Sequence, residues 1–247
     1  MNSPSTKNVK AHKCPICGDE MTLDEFAWLP GVERLYLCSK TPSCREERLV
    51  FIKKAIRQRD LEHPEIVLES AGVPKRFLKC SFENFQGNER IVGICKNHSI
   101  DQGLYLFGDV GRGKTHLIAA MLREFVRLGY HEFLFVSSVK LLNDLAGAAF
   151  RHDERDGDES EIINRCLNAG ILVLDDLGKG GFSNWAITKL FLIIDQRYSA
   201  ERPTIVTSNF DLEGIQDRLG EPIASRLAES RIIHITGSDY RKRRVAS

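Results

Sequence analysis

The sequence predicts an α/β fold with a five-stranded parallel sheet, preceded by a small region rich in cysteine. Between about residues 98 and 236, short apolar runs alternate with helix-like segments, which is typical of a parallel sheet flanked by helices. Residues 11–62 differ, because they hold four of the seven cysteines of the chain. A length of 247 residues allows a domain of ordinary size with a small appendage.

Each strand of the sheet is predicted from an apolar run bounded by turn residues, and helical segments fill the gaps between strands. The clearest helices are expected at 114–128 and 184–198. The polar run 151–161 has six acidic and two basic residues, which predicts a solvated loop. The five predicted strands are GLYLF (103–107), FLFVSS (133–138), ILVLDD (171–176), PTIVTSN (203–209) and RIIHIT (231–236).

The predicted domain organisation has three parts. Residues 1–62 form the cysteine-rich domain, and residues 90–247 form the domain with the sheet. Residues 63–89 connect them as a linker and N-terminal segment of the larger domain. Part of this connection, at 70–87, has turn residues and three phenylalanines, so we expect it to pack onto the domain.

Composition excludes some classes of protein. The formal net charge of +1 does not by itself indicate a nucleic-acid partner. No apolar run approaches the length of a membrane span, and the first residues have no signal-peptide core, so we expect a cytoplasmic protein without a membrane partner. In that compartment cysteines are more often metal ligands or buried thiols than disulfides.

The stretch GDVGRGKT (108–115) lies between a predicted strand and a predicted helix. Its glycines allow backbone N–H groups to surround a phosphate, a lysine adds positive charge, and a threonine hydroxyl can ligate Mg²⁺. A chance glycine-rich turn is the alternative, but the flanking strand and helix disfavour it. The expected cofactor-binding residues here are Gly108, Asp109, Val110, Gly111, Arg112, Gly113, Lys114, Thr115 and His116.

The run ILVLDDLG supplies acids at the carboxyl end of a buried strand. Asp175 would bind the nucleotide's Mg²⁺ directly or through water, together with Thr115. Asp176 would orient or deprotonate the attacking water, and its alternative is a helix or turn cap.

Two more polar residues are candidates for catalysis. Asn209, at the end of PTIVTSN, can hydrogen-bond the γ-phosphate or the lytic water, or simply begin the turn that follows. Arg226, on a predicted short helix after Pro222, has the N–H groups to stabilise developing phosphoryl charge. Taken alone, Arg226 is read as an ordinary surface arginine.

The ordered set FENF, GDVGRGKTHL, LVLDDLG, PTIVTSN and ASRL resembles the AAA+ ATPases of the bacterial helicase-loader group, DnaC and DnaI, over residues 72–247. The resemblance implies a P-loop core that binds ATP with Mg²⁺, a hexameric replicative DNA helicase as partner, and delivery of that helicase onto single-stranded DNA. Lys114 and Thr115 match the Walker A pair and Asp175 and Asp176 the Walker B pair. Asn209 matches sensor 1, and Arg226 the arginine finger, which implies self-association.

Two other functions stay open. Transposition helper ATPases of the IstB type, which bind duplex DNA, share much of the same core. A nucleotide-gated binding module with vestigial hydrolysis is the third hypothesis. Only about 20 residues follow Arg226, which predicts a core with no separate C-terminal lid, as in the loader group.

The cysteines of the first region have the spacing of metal ligands. Cys14 and Cys17 form a CPICG knuckle, and Cys38 and Cys44 follow after 20 residues, so four thiolates can hold structural Zn²⁺. His12 can replace one ligand, and four free thiols are the alternative. A bound zinc ion would also stabilise this region, which is too small to form a large hydrophobic core. The remaining cysteines, Cys80, Cys95 and Cys166, are predicted to be buried.

The DnaI-type loaders carry a zinc-binding N-terminal domain that contacts the helicase, so the resemblance implies that role for residues 1–62. The predicted helix near 46–59, with an apolar stripe at Leu49, Ile52 and Ile56, would then present a contact surface or pack on its own domain.

Candidate DNA contacts are few and depend on the resemblance. Basic side chains and exposed rings are what single strands require. Trp185 alternatively belongs to the core, and the basic tail can be a solvated chain end. The candidates are Lys140, Lys179, Phe182, Trp185, Arg241, Lys242, Arg243 and Arg244.

Overall fold

The computed structural model describes residues 12–14, 16–21, 40–150 and 159–237. The chain divides into two compact units, Met1–Pro64 and Glu65–Ser247. Among the described residues, no helix is both long enough and apolar enough to cross a membrane.

The first unit combines a small hairpin with one long helix. Strands β1 (His12–Lys13) and β2 (Glu20–Met21) pair in antiparallel fashion. Helix α1 (Pro42–Glu62) begins at a proline, and the hydroxyl of Thr41 accepts a hydrogen bond from its first turn. The prediction of a helix is confirmed, but the predicted stripe is not a buried face throughout, because Leu49 is 58% exposed.

The second unit is built on a five-stranded parallel sheet in the order β4-β5-β6-β3-β7. The five strands predicted from the apolar runs are all present. Strand β5, an interior strand of this sheet, is apolar on both faces because helices cover both sides of the sheet. The strands are β3 (Leu104–Phe107), β4 (Phe133–Ser137), β5 (Ile171–Leu177), β6 (Thr204–Ser208) and β7 (Arg231–His234).

Eight further α-helices accompany this sheet among the residues that the structure describes. Leu104 and Leu106 pack into the core on one face, and Tyr105 between them packs into the core on the other. These helices are α2 (Pro64–Ser70), α3 (Glu89–Lys96), α4 (Lys114–Arg127), α5 (Ser138–Phe150), α6 (Glu159–Asn168), α7 (Asn184–Ser199), α8 (Leu212–Leu219) and α9 (Glu221–Ala228).

The acidic run 151–161 is not entirely a loop. Residues 159–161 begin helix α6, where Glu159 and Glu161 lie in the first turn. Acidic side chains stabilise a helix at this end because they complement the helix dipole, so the loop prediction was wrong for these three residues. Residues 151–158 lie outside the described part of the chain.

The predicted packing of residues 70–87 on the larger domain is confirmed. Val73, Cys80 and Phe82 are buried in its core. Arg123 of α4 donates hydrogen bonds to the backbone oxygens of Cys80, at 3.1 Å, and Leu78. Cys95 and Cys166 are buried as well, as predicted for all three unpaired cysteines.

Candidate nucleotide-binding site

The loop 108–115 joins β3 to α4 in a conformation that requires glycine. Gly113 precedes α4 with a left-handed φ of 84°. A Cβ atom at Gly113 would lie 2.7 Å from Cε2 of Phe85, and one at Gly108 would lie 2.3 Å from the backbone oxygen of Ile235. Neither contact is tolerable, so a side chain at either position would displace the loop or its neighbours.

Lys114 is buried and connects two predicted parts of the site. Its Nζ donates hydrogen bonds to the backbone oxygens of Gly108, at 2.7 Å, and Asp109, at 2.9 Å. It also donates to Oδ1 of Asn209 at 2.7 Å. The structure therefore brings the lysine and the asparagine, which are 95 residues apart, into direct contact.

Asp175 lies beside the other end of the loop. The hydroxyl of Thr115 donates to its carboxylate at 3.0 and 3.2 Å, and the hydroxyl of Thr207 donates at 2.6 Å. Burial raises the pKa of the Asp175 carboxyl, although the hydrogen bond from Thr207 opposes this shift. A cation bound next to this carboxylate would offset the cost of burying its charge.

Asp176 has a backbone conformation that is unusual for a residue other than glycine, with a φ of 58°. Its N–H donates to Oγ1 of Thr207 at 2.9 Å, and its backbone oxygen accepts from Oγ of Ser138 at 2.9 Å. Its carboxylate is 37% exposed and lies 3.6 Å from Nζ of Lys179. Strain of this kind is maintained by surrounding contacts and is common at functional sites.

Asp176 does not cap the helix that follows in the chain. It lies within β5, and α7 is capped instead by Ser183, whose hydroxyl accepts from the N–H of Ala186. The alternative of a helix cap is therefore removed for this residue.

The loop and the two aspartates line a cleft of about 1180 Å³. This volume is ample for a small-molecule ligand. One wall comes from residues 76–86, for which the sequence predicted only packing on the domain. The residues that line the cleft outside the loop include Arg76, Phe77, Lys79, Asn84, Gln86, Asp175, Asp176, Lys179 and Asn209.

Thr207 and Ser138 are site residues that sequence reasoning missed. Thr207 is fully buried between the two aspartates, and Ser138 is buried at the end of β4. Thr207 lies within the run PTIVTSN, where a polar residue preceding Asn209 in a buried strand was a usable signal. Ser138 had no comparable signal, because only the pairing of β4 with β5 brings it to Asp176.

Arg226 lies apart from these residues. Its Nε donates to Oδ1 of Asp195 at 2.8 Å, and its guanidinium lies 4.7 Å from the ring centre of Tyr198. It borders a smaller cavity of about 270 Å³, lined by Gly103, Thr204 and Ser230 at the amino ends of the strands. The loop 108–115 follows the carboxyl end of β3 instead.

Three of the predicted zinc ligands are together in the first unit. The sulfur atoms of Cys14, Cys17 and Cys44 all lie within 4.8 Å of one another. Cys14 and Cys44 are 3.9 Å apart, close to the separation of about 3.8 Å that tetrahedral Zn–S bonds of about 2.3 Å impose. Cys38 and the side chain of His12 lie outside the described residues.

The hairpin and α1 explain why these sulfurs meet. Gly18, with a φ of 78°, donates its N–H to the backbone oxygen of Cys14 at 2.8 Å and turns the chain back after Cys17. Cys44 lies in the first turn of α1, which brings its sulfur to that of Cys14. The donor set fits Zn²⁺, with three thiolates to hold it.

The candidate DNA contacts are in different environments. Lys140 is exposed in the first turn of α5 and pairs with Asp144. Trp185 is 36% exposed, with Nζ of Lys189 lying 5.9 Å from its ring centre, so the alternative of a core tryptophan was wrong. Phe182 is half-buried against the core. Residues 241–244 lie outside the described part of the chain.

Comparison with protein families gives a match over residues 92–246 to the family described as IstB-like ATP binding protein. The match covers the whole site from the phosphate-binding loop to Arg226. The chain belongs to the IstB-like ATP-binding family.

Curated relatives of this ATP-binding protein include a helicase loader. The replicative helicase loader DnaC of Buchnera aphidicola subsp. Baizongia pistaciae is 26% identical over 72% of this chain and 75% of its own. The phage-like element PBSX protein XkdC of Bacillus subtilis is 25% identical over 97% of this chain and 88% of its own.

Solved structures of the same fold include the DnaC helicase loader and DnaI. The DnaC helicase loader matches 66% of this chain and all of its own with a TM-score of 0.57 and 25% identity. DnaI matches 68% of this chain and 94% of its own with a TM-score of 0.54 and 24% identity. The predicted AAA+ core with its five-stranded sheet is confirmed.

The geometry of the cleft fits the ATP and Mg²⁺ expected for this family. Lys114 and the loop amides can hold the outer phosphates, and the hydroxyl of Thr115 and the carboxylate of Asp175 are adjacent oxygen donors for Mg²⁺. Few protein ligands are needed, because Mg²⁺ keeps several waters and binds phosphate oxygens directly.

Replacing Thr207 by valine tests the connection between the two aspartates. The variant keeps the side-chain volume but removes the donor to Asp175 and the acceptor for the N–H of Asp176. We expect the free energy of unfolding to fall by about 1–3 kcal/mol. We also expect ATP turnover to fall about 10–100-fold, as for other residues that orient metal ligands.

Thermal unfolding and steady-state hydrolysis are the measurements for Thr207→Val. Thr188→Val is the matched control, since this exposed hydroxyl only donates to the backbone of its own helix. Equal turnover in Thr207→Val and the parent would show that the hydrogen bonds do not support the site.

Proposed function

We propose that this protein is an ATP-dependent loader that binds the hexameric replicative DNA helicase and delivers it onto single-stranded DNA. The observation that carries the proposal is the position of Arg226, at the edge of the sheet opposite the nucleotide cleft. Strand β6 runs from one of these edges to the other, and its five residues span about 16 Å, which is beyond the reach of one arginine side chain. Arg226 is therefore suited to contact ATP that is bound to a second copy of the chain, at an interface between copies assembled on a helicase.

In the proposed cycle, Lys114 binds the outer phosphates, and Thr115 and Asp175 are the residues that would hold Mg²⁺. Bound there, Mg²⁺ would supply positive charge to offset the charge that develops on the phosphates. Asp176, with its exposed carboxylate at the cleft, orients the attacking water, and Asn209 contacts the γ-phosphate while it also holds Lys114. Arg226 of a neighbouring copy completes the charge stabilisation.

Residues 1–62 act in this proposal as the zinc-binding unit that contacts the helicase. Three apolar side chains of α1, those of Leu49, Val50 and Phe51, are each about half exposed or more. Exposed apolar side chains that lie together on one element are suited to a protein partner. The DNA strand would contact Lys140 and the loop 178–185 at the carboxyl edge of the sheet.

The test is co-elution of the full chain with the replicative helicase of its host, with and without ATP and Mg²⁺. We expect a stable complex whose affinity falls about tenfold in Phe51→Ala, since a buried aromatic contact contributes about 1–3 kcal/mol. Leu61→Ala is the matched control, because the side chain of Leu61 is similarly exposed but lies near the C-terminal end of α1. No complex in any nucleotide state would refute the loader function.

The family match also favours a second candidate, an IstB-type transposition helper that binds duplex DNA. It differs from the loader in one measurable respect. ATP-dependent assembly on double-stranded DNA, without binding to a helicase, would establish the helper in place of the loader.

A further inference from the structure

Arg226 is held by two side chains of a single helix. Asp195 and Tyr198 are three residues apart on α7 and so project from the same side of it. The carboxylate of Asp195 accepts the hydrogen bond from Nε at 2.8 Å. The ring of Tyr198 lies beside the guanidinium at 4.7 Å, a cation–π distance.

The way the guanidinium is held leaves its outer edge available. An arginine has five N–H donors in a rigid planar fork, and Asp195 occupies the one on Nε. In the described part of the chain, the two terminal nitrogens of Arg226 donate no hydrogen bond. The side chain is 37% exposed, so these nitrogens can reach a ligand from outside the molecule.

A purely structural ion pair would fit these facts less well. Exposed ion pairs contribute little to stability, and this one is partly exposed on both sides. The pair and the ring together restrict both the position and the plane of the guanidinium, which is the requirement for donating two parallel hydrogen bonds to a phosphate. An arginine without such contacts would sample many rotamers before it met its target.

We propose that Asp195 and Tyr198 are positioning residues that aim Arg226 at ATP bound to a second copy of this chain. The inference rests on the proposed trans role of Arg226 and names the side chains on which that role depends. The neighbouring copy supplies the nucleotide, and this copy supplies an arginine whose direction is set before the copies meet.

Mixed assemblies of two variants test the proposal, because one variant supplies the nucleotide site and the other supplies Arg226, the arginine finger. Arg226→Ala keeps a nucleotide site but has no finger, and Lys114→Ala keeps the finger but has a defective site. Each should hydrolyse little ATP alone, and a mixture should recover activity when the finger of one variant serves the site of the other. The mixtures contain full-length chains, ATP and Mg²⁺.

Asp195→Ala is then added to one component at a time. In the Lys114→Ala chain, which supplies the finger, it should lower the recovered rate about 10–100-fold, the penalty of a displaced catalytic group. In the Arg226→Ala chain, which supplies the site, it should leave the recovered rate unchanged. A structural role would not produce this asymmetry.

Conservative changes sharpen the result. In the finger-supplying chain, Tyr198→Phe keeps the ring and should retain activity, whereas Tyr198→Ala should lose it. Asp195→Asn keeps an acceptor for Nε and should fall between the parent and Asp195→Ala. Asp217→Ala, which removes an exposed acid on α8, is the matched control and should have no effect.

The outcomes distinguish a failure of the positioning role from a failure of the proposed trans role of Arg226. If the mixture of single variants recovers no activity, the trans role of Arg226 is wrong, and the inference fails with it. If the mixture recovers activity equally with and without Asp195→Ala in the finger-supplying chain, the trans role stands and the positioning inference alone is overturned.

Discussion

Lys114→Ala should reduce ATP hydrolysis by at least about 10²–10³-fold, the effect of removing one essential charge-stabilising group. The variant loses the ammonium that would bind the outer phosphates. It also loses the contact that holds the side chain of Asn209 at 2.7 Å, so two parts of the site are affected by one change. Affinity for a fluorescent ATP analogue and steady-state turnover measure the two consequences separately.

The same substitution has a structural cost that must be separated from the catalytic effect. In the structure, Nζ of Lys114 satisfies two backbone oxygens of the loop as well as Asn209. Losing these bonds should lower the free energy of unfolding by about 1–3 kcal/mol, without unfolding the domain. Arg127→Ala in the last turn of the same helix is the control, since Arg127 pairs with Glu124 on the surface.

Two results for Lys114 would change the interpretation. Turnover equal to that of the parent would mean that the loop does not bind the hydrolysed nucleotide. A parent that itself hydrolyses ATP at background rate, while it still binds the analogue, would support a binding module with vestigial hydrolysis.

Removal of zinc should have the second large effect, and it should be confined to the first unit. The apparent binding free energy of structural zinc is about 10–16 kcal/mol in small domains, more than a unit of this size gains by apolar burial. We expect the purified chain to contain one equivalent of zinc. A strong chelator should then expose α1 to rapid hydrogen exchange, while α4 stays protected.

Cysteine variants identify the ligands independently of the chelator. Cys17→Ser should lower the zinc content well below one equivalent, because its sulfur lies within 4.8 Å of those of Cys14 and Cys44. Cys166→Ser is the control, as this cysteine is buried in the core of the second unit and should leave zinc unchanged. A parent with less than about half an equivalent of metal would contradict the zinc site.

Much of the nucleotide site could be predicted because its chemistry is local in sequence. The loop 108–115 combines its glycines, lysine and threonine in one stretch, and Asp175 follows an apolar run that is typical of a parallel strand buried on both faces. Asn209 could be predicted for the same reason, because it is a polar residue that follows a buried strand. All three strands end at one edge of a parallel sheet, so their residues had to meet.

The rest depends on contacts between distant segments, which no local pattern indicates. The conformation of Asp176 is held by hydrogen bonds with Thr207 on β6 and with Ser138 at the start of α5. The wall formed by residues 76–86 depends on Arg123 holding their backbone against α4. The helical start at Glu159 was missed because acidic residues predict a loop by composition but stabilise a helix at its first turn.

The contact between Phe85 and the phosphate-binding loop has a thermodynamic consequence. Phe85 packs so closely on Gly113 that no Cβ fits between them, and its ring also meets that of His116 edge-on at 5.3 Å. His116 in turn hydrogen-bonds the backbone of Ser81 at 2.9 Å. A ligand that binds the folded loop tightly therefore also raises the free energy needed to open residues 81–85. Because residues 76–86 also form one wall of the cleft, nucleotide occupancy and the opening of that wall become linked quantities.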